Sequence, residues 1–322
     1  MTLHRVLIVV FGCFTSISSV YAAGADTFPE RPLRLIVPFP PGGSNDVLSR
    51  FVGIKLSERL GQQVVIDNRA GANGIIGTEI AAHTTPDGYT LLINSTSYVM
   101  NAAVRKLPYD VVKSFDPVST IGSSPNSILI HPGFVNSVKE LVERAKAKPK
   151  SISYGSTGVG GFNHFGGELF KKVAGIDLVH VPYKGGGPAM TDVMAGQIPM
   201  MFSSVTQGLP HARAGKLKIL AVGAKKRLPG LPDVPTVIES GYPGYEVSVW
   251  WGIVAPAGIP APALKKLRTE LTGVLQDPGT LKFLTSLSAE PMHLDPAAFR
   301  KMMRDDVVKW KAVAKEAKIN AK

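Results

Sequence analysis

Twice in this chain a strand-like run ends in a glycine-rich turn that leads into an amphipathic helix, at Val37-Pro-Phe-Pro-Pro-Gly-Gly-Ser-Asn-Asp46 and at Tyr154-Gly-Ser-Thr-Gly-Val-Gly-Gly-Phe-Asn-His164. Glycine at such a turn lets the backbone approach a ligand with no side chain between, and the first N–H groups of the helix point free donors at a negative group. Two cradles in two halves of one chain predict a clamp on a carboxylate.

The surrounding pattern predicts the fold. Leu33 to Phe39 is a mainly apolar run, and Leu48, Phe51, Val52, Leu56 and Leu60 follow at helical spacing until Gly61. Gln63 to Ile66 reads as a strand, Gly71-Ala-Asn-Gly74 as a turn, about Ile75 to His83 as a helix and Thr90 to Ile93 as a strand. This β-α-β-α-β alternation predicts a mainly parallel sheet flanked by helices, with the ligand site at the carboxyl ends of the strands. Pro38 to Asp46 sits at such an end, and so does Asn94-Ser95-Thr96-Ser97, which makes Ser95 a candidate contact.

Around Gly122-Ser-Ser-Pro125 the composition turns small and flexible and the pattern restarts. A helix from about Val138 to Ala147, a strand from Ile152 to Tyr154 and the second glycine-rich turn precede a helix with Phe162, Phe165, Leu169 and Val173 on one face. The strand Leu178 to Val181, a third turn Pro182-Tyr-Lys-Gly-Gly-Gly-Pro188, a helix to about Ala195 and the strand Ile198 to Phe202 come next, then a helix–strand pair ending near Val222. After a proline-rich loop from Leu228 to Pro235, Glu246 to Val254 reads as a strand in which at most one of Trp250 and Trp251 faces the cleft. The remainder is helical, with a strong start at Asp295-Pro296, and is expected to pack back on the first domain. The chain then crosses between domains near Gly122 to Ser127 and near Tyr245 to Ile253, a hinge between a first domain of 26–124 with 249–322 and a second of 125–248.

The amino terminus reads as a secretion signal over residues 1–25: His4 and Arg5, an uncharged apolar stretch from Val6 to Val20, then small residues, with cleavage after Ala25 preferred to Ala22. The one cysteine, Cys13, lies inside that stretch, so the exported chain has no thiol for a disulfide, a nucleophile or a metal site. A formal net charge of +12 suits anionic partners. Export argues against nucleic acid. The Lys and Arg residues are scattered, and the densest groups, Lys139 to Lys148 and Lys225-Lys226-Arg227, read as solvated faces.

Set in order along nearly the whole exported chain are Val37 to Gly43 with Asp46 and Arg50, Asn68-Arg-Ala-Gly-Ala-Asn-Gly74, Pro86-Asp-Gly-Tyr-Thr90, Gly155 to Gly160 with His164, and Val181 to Pro188 with Asp192. This ordered set resembles the Bug receptors, the exported substrate-binding components of tripartite tricarboxylate transporters. The resemblance implies an α/β periplasmic binding protein of two domains, closing like a Venus flytrap on a small carboxylate that backbone N–H groups and ordered waters hold. It implies no cofactor, no metal and no catalysis, a membrane permease as partner, and a monomer. Carried over position by position, Phe39, Pro41, Gly42, Gly43, Asn45 and Asp46 form the first-domain lip, and Gly158, Val159, Gly160 and His164 the second-domain lip. Tyr183, Lys184 and Gly185 are weaker choices, and Asn45, Ser156 and Thr157 are where substrate-specific differences are expected.

Several of these positions have plainer readings. Gly42 and Gly43 serve equally to permit a turn that Ser44 or Asn45 caps. Asp46 offers no positive charge and suits fixing the loop or the helix start. His164 is more often a satisfied helix histidine than a contact, and Lys184 either pairs with a carboxylate or is solvated. The rival class is an exported hydrolase, but the chain has no Gly-x-Ser-x-Gly elbow, no His-Glu-x-x-His helix and no phosphate loop, and Asn163 stands where a dinucleotide fingerprint needs glycine. A periplasmic sensor for a membrane partner has the same sequence features as an uptake receptor.

Overall fold

The computed structural model describes residues 27–319, so the signal read over residues 1–25 lies outside the described residues. Its first lobe is built on β1 (Leu33–Val37), whose apolar residues are buried at the centre of a parallel trio. α1 (Ser44–Leu60) buries Leu48, Val52 and Leu56, and ends at Gly61, whose φ of +66° lets its N–H reach back to Ser57. β2 (Val64–Asn68) lies parallel to β1 on one side. A short 3-10 turn over Ala72–Gly74 leads to α2 (Ile75–Ala82), and β3 (Thr90–Ser95) lies parallel to β1 on the other side.

Two elements here escape the sequence reading. α3 (Thr96–Val104) begins directly at the end of β3 with no breaker between them, and β4 (Phe115–Ile130) runs for 16 residues straight through the Gly122–Pro125 stretch that reads as flexible. The breakers in β4 fall where a long strand can absorb them. Its register shifts between Pro117 and Ser119 and again between Thr120 and Gly122. At Gly122 a side chain's first carbon would lie 2.8 Å from the Glu290 carbonyl, so the close approach of another strand requires glycine there.

The second lobe repeats the alternation: α4 (Val138–Ala147), β5 (Ser153–Ser156), α5 (Phe162–Ala174), β6 (Val179–Pro182), α6 (Gly186–Met194), β7 (Met200–Ser204), α7 (Val205–Arg213) and β8 (Lys218–Val222). β5 lies parallel to both β6 and β7. The chain returns as β9 (Ser248–Pro256), antiparallel to β3 and to the first part of β4. α8 (Ala261–Gln276), α9 (Pro278–Ser286), β10 (Glu290–Pro291) and α10 (Pro296–Glu316) complete the first lobe, with Asp295 capping α10 through the N–H groups of Ala297 and Ala298.

The strand order is β2-β1-β3-β9-β4-β7-β5-β6, with β8 and β10 also on β4. Each lobe therefore keeps a parallel trio, and antiparallel partners join the trios through β4. Phe115 to Pro125 of β4 pair with β9, whereas Asn126 to Ile130 pair with β7 and β8. Beside the change of partner, the Asn126 N–H donates to the Val247 carbonyl at 2.7 Å. Trp250 and Trp251 are both buried: Trp250 packs edge-on against Phe299 and donates to Asp306 of α10 at 2.7 Å, and neither ring lines the cavity described next.

Candidate functional site

Between the two parallel trios, five helices begin at one cavity. Gly43, Ser44 and Asn45 come from the start of α1, Ser95 and Ser97 from α3, Phe162 and Asn163 from α5, Gly186 from α6, and Ser204 and Gln207 from α7. Phe39, Thr157, Ser203 and Val249 complete the wall. The cavity's volume is about 30 Å³, enough for a few atoms.

The electrostatics follow from this convergence. Each helix start carries roughly half a positive elementary charge on N–H groups with no partner inside the helix, and all five point the same sign at one space. None of the lining side chains is ionisable. Three lining residues also leave buried amide nitrogens without an acceptor, Asn45 Nδ2, Asn163 Nδ2 and Gln207 Nε2. Three unmet amide donors in a wall without a formal charge are chemistry for an oxyanion.

Direct contacts hold the lobes shut over the cavity. The Phe162 N–H donates to Ser97 Oγ at 3.0 Å, Thr157 Oγ1 donates to Asn73 Oδ1 at 3.2 Å, and Arg105 Nη2 donates to the Val159 carbonyl at 2.8 Å. Asn73 is itself fixed by exchange with Asn101, donating through Nδ2 to Asn101 Oδ1 and accepting at its carbonyl from Asn101 Nδ2, each at 3.0 Å. Gly185 lies against the ring of Pro40, and Gly187 against the Pro41 carbonyl.

Of the residues expected from sequence, Phe39, Gly43, Asn45, Ser95 and Thr157 line the cavity. The others lie around it, and their bonds explain why. Asp46 is occupied in fixing its own loop: it accepts from the Gly42 N–H, Arg50 and Asn68. Burial works to raise its carboxyl, but those bonds outweigh it and hold the group below the usual carboxylate range. Ser156 Oγ is taken up by His180 at 2.6 Å and by the Gly158 N–H at 3.1 Å. The Gly160 N–H is likewise spent on His164 Nδ1 at 3.1 Å.

His164 stacks on His180 with ring centres 4.1 Å apart, away from the cavity. Burial, then Lys171 and Arg105, push His164 down to about 4; burial and the neighbouring His164 push His180 to about 3. Both are neutral at pH 7, and His164 needs to be, because its Nδ1 accepts a bond. Val159 contributes its carbonyl to Arg105, and Tyr183 donates to Asp192 at 2.6 Å. Lys184 is exposed, while Pro41 and Gly185 meet the opposite lobe. Of the second and third turns, Thr157, Phe162, Asn163 and Gly186 reach the wall, while Ser156, Val159, Gly160, His164, Tyr183, Lys184 and Gly185 lie around it.

Ser203, Ser204 and Gln207 were missed because β7 passes into α7 without a glycine-rich turn. The signal that finds them is positional: a strand ending in Ser-Ser, directly followed by a helix, in an alternating fold. Among the described residues a larger open groove, about 650 Å³, runs over the outside of the second lobe, but its floor of Leu209, Leu217 and Leu231 meets the start of α4 alone. No group of three or more potential metal ligands gathers among the described residues, and no helix there is long and apolar enough to cross a membrane.

Comparison with known proteins shows the family and the fold. Residues 48–319 match the family described as the tripartite tricarboxylate transporter family receptor. The chain is 34% identical over 315 residues to the protein BugT of Bordetella pertussis, covering 96% of this chain and 97% of that one. In solved structures it resembles the periplasmic binding protein BugD, with a TM-score of 0.88, 35% identity and coverage of 92% of this chain and 100% of the other. It also resembles an R. palustris protein determined with adipate, with a TM-score of 0.88, 33% identity and coverage of 91% and 99%.

Proposed function

This chain belongs to the tripartite tricarboxylate transporter receptor family, and we propose that it captures a small organic acid between its two lobes and delivers it to a membrane permease. Its relatives are periplasmic binding proteins, and one was determined with a dicarboxylate, adipate. The observation that carries the reading is the convergence of five helix N-termini on one cavity whose walls hold no ionised side chain. The carboxylate is held by first-turn N–H groups of α1 and α3 from one lobe and of α5 and α6 from the other, with the hydroxyls of Ser95, Ser97, Ser203 and Ser204 around it.

The two lobes act as domains of 26–124 with 249–322 and of 125–248, hinged where β4 changes partner and where the chain re-enters β9. Ligand bridging the two walls shifts the population toward the shut form, and that surface is what the permease recognises. Export by a signal cleaved after Ala25 places the receptor in the periplasm, where it works without cofactor or catalysis.

A thermal-shift screen of the chain from Asp26, unfolded and refolded to strip carried ligand, tests this with small carboxylates and their matched amides. Ligand at ~100 times its dissociation constant adds about 2.7 kcal/mol, a shift of a few degrees for a chain this size. The expected result is a shift with an acid and none with its amide. Equal shifts with both, or none across the panel, would remove carboxylate capture as the function.

A further inference from the structure

The last helix carries a stripe that the fold leaves uncovered. Arg304, Val307, Val308 and Lys311 recur on α10 at the spacing i, i+3, i+4 and i+7, so two valines sit between two cations on one face. Val308 is 70% exposed, which leaves the centre of the stripe bare. Together with Arg105, Leu107 and Val111, from the segment after α3, the stripe lines an open groove of about 500 Å³. The acids at hand are spent elsewhere. Asp110 accepts from the N–H groups of Val112 and Lys113, Asp305 pairs with Lys301, Asp116 pairs with Arg300, and Asp306 accepts from Trp250. Among the described residues, then, Arg105, Arg304 and Lys311 have no carboxylate partner in the groove. An apolar centre with a charged rim is the anatomy of a protein interface.

Both walls of this groove also reach the second lobe. Arg105 donates to the Val159 carbonyl, and on α10 the Trp310 ring meets Phe165 of α5 edge-on at 5.5 Å while Glu316 pairs with Lys172. Movement of the second lobe removes Arg105's acceptor and changes what α10 packs on, so the shape of the groove follows the closure of the lobes. Resting on the receptor reading above, we propose that this groove is where the membrane permease recognises the loaded receptor. The permease offers it a segment with two acidic residues around apolar ones. Seven residues of helix set Arg304 and Lys311 about 10 Å apart, and the partner's acids stand at a matching distance with apolar side chains between them to cover Val307 and Val308. A concave site suits such a segment better than it suits the flat face of an anionic membrane.

Photo-crosslinking in the cells that export the chain tests this, with Val308→p-benzoylphenylalanine and, as the control, Ile54→p-benzoylphenylalanine on the exposed face of α1. Position 308 is expected to join an integral membrane protein at a segment bearing the paired acids, at least about threefold more with the best acid from the thermal screen than without it. Charge reversal by Arg304→Glu with Lys311→Glu is expected to cut that product about tenfold, and lysines in place of the partner's two acids to restore it. Neither residue lines the cavity between the lobes, so calorimetry on the double variant should find ligand affinity within about twofold of the parent. No product, a product with lipid or a soluble protein alone, or one indifferent to ligand or to charge reversal overturns the proposal. Capture of the membrane protein from position 54 instead also overturns it, moving the docking face to α1 while delivery to a permease stands. Failure of every acid to bind the parent chain is a separate result, since it removes the receptor reading itself.

Discussion

Gly185 has a φ of +152°, and a side chain there would run into the ring of Pro40 on the opposite lobe. Gly185→Val therefore combines backbone strain of about 1–3 kcal/mol with a clash that exists only when the lobes are shut. Ligand affinity should fall by about tenfold or more while a denaturant melt still reports folded lobes, and unchanged affinity would mean the lips do not meet around bound ligand.

The stacked His164 and His180 give a second residue-scale prediction. Both are depressed below the ordinary value, to about 4 and about 3, so between pH 6.5 and those values the unfolded chain binds protons that the folded chain does not. Stability is then complete above about pH 6.5 and declines on acidification through that window, each histidine adding up to ~1.4 kcal/mol per pH unit. In the folded chain His164 protonates only near pH 4, so its bond from Gly160, and with it ligand affinity, should hold until the pH approaches that value. Urea midpoints from pH 7 to pH 4 for the parent and for His164→Gln, which keeps a neutral acceptor, decide it: the variant's profile should be flatter, and parallel profiles would assign the acid sensitivity elsewhere.

At the scale of elements, α3 works at both ends. Its start feeds Ser95 and Ser97 to the cavity, and just beyond its last residue, Val104, Arg105 reaches across to the Val159 carbonyl. Arg105 touches no part of the cavity wall, so Arg105→Ala should raise the ligand dissociation rate by about tenfold, the worth of one charge-assisted hydrogen bond, and barely change the association rate. Stopped-flow traces that show a slower association instead would argue that Arg105 guides ligand entry. Sequence periodicity revealed α1, α5 and the strands around them because Leu48, Leu56, Phe162 and Phe165 repeat at helical spacing between glycine punctuation. It concealed α3, whose Thr96 to Val104 sequence is buried through its first six residues and so lacks a polar stripe. It concealed β4 as well, since Gly122 to Pro125 reads as a flexible break until bulges and a change of partner strand accommodate it. The site was legible to the same extent: the glycine turns marked the junctions after β1 and β5, while Gln207 follows a junction that has no glycine-rich turn to announce it.

For the whole molecule, capture and retention rest on different charges. The formal net charge of +12, from which loss of the signal removes only Arg5, draws anions in from beyond contact distance, and salt screens it over about 10 Å at 0.1 M. In the proposed reading, retention depends on neutral donors and helix starts between the lobes, which salt reaches poorly once the cleft is shut. Raising salt from about 0.02 M to about 0.3 M should therefore slow association severalfold and leave dissociation nearly constant. A lysine or arginine clamp open to solvent would behave differently, because screening an ion pair speeds departure too. Rapid-mixing measurements of both rates across the salt series, with the best acid from the thermal screen, separate the two. A dissociation rate that climbs with salt would place a cation on the ligand and undo the neutral clamp, whereas a flat one leaves binding to the geometry that five strand-to-helix junctions impose.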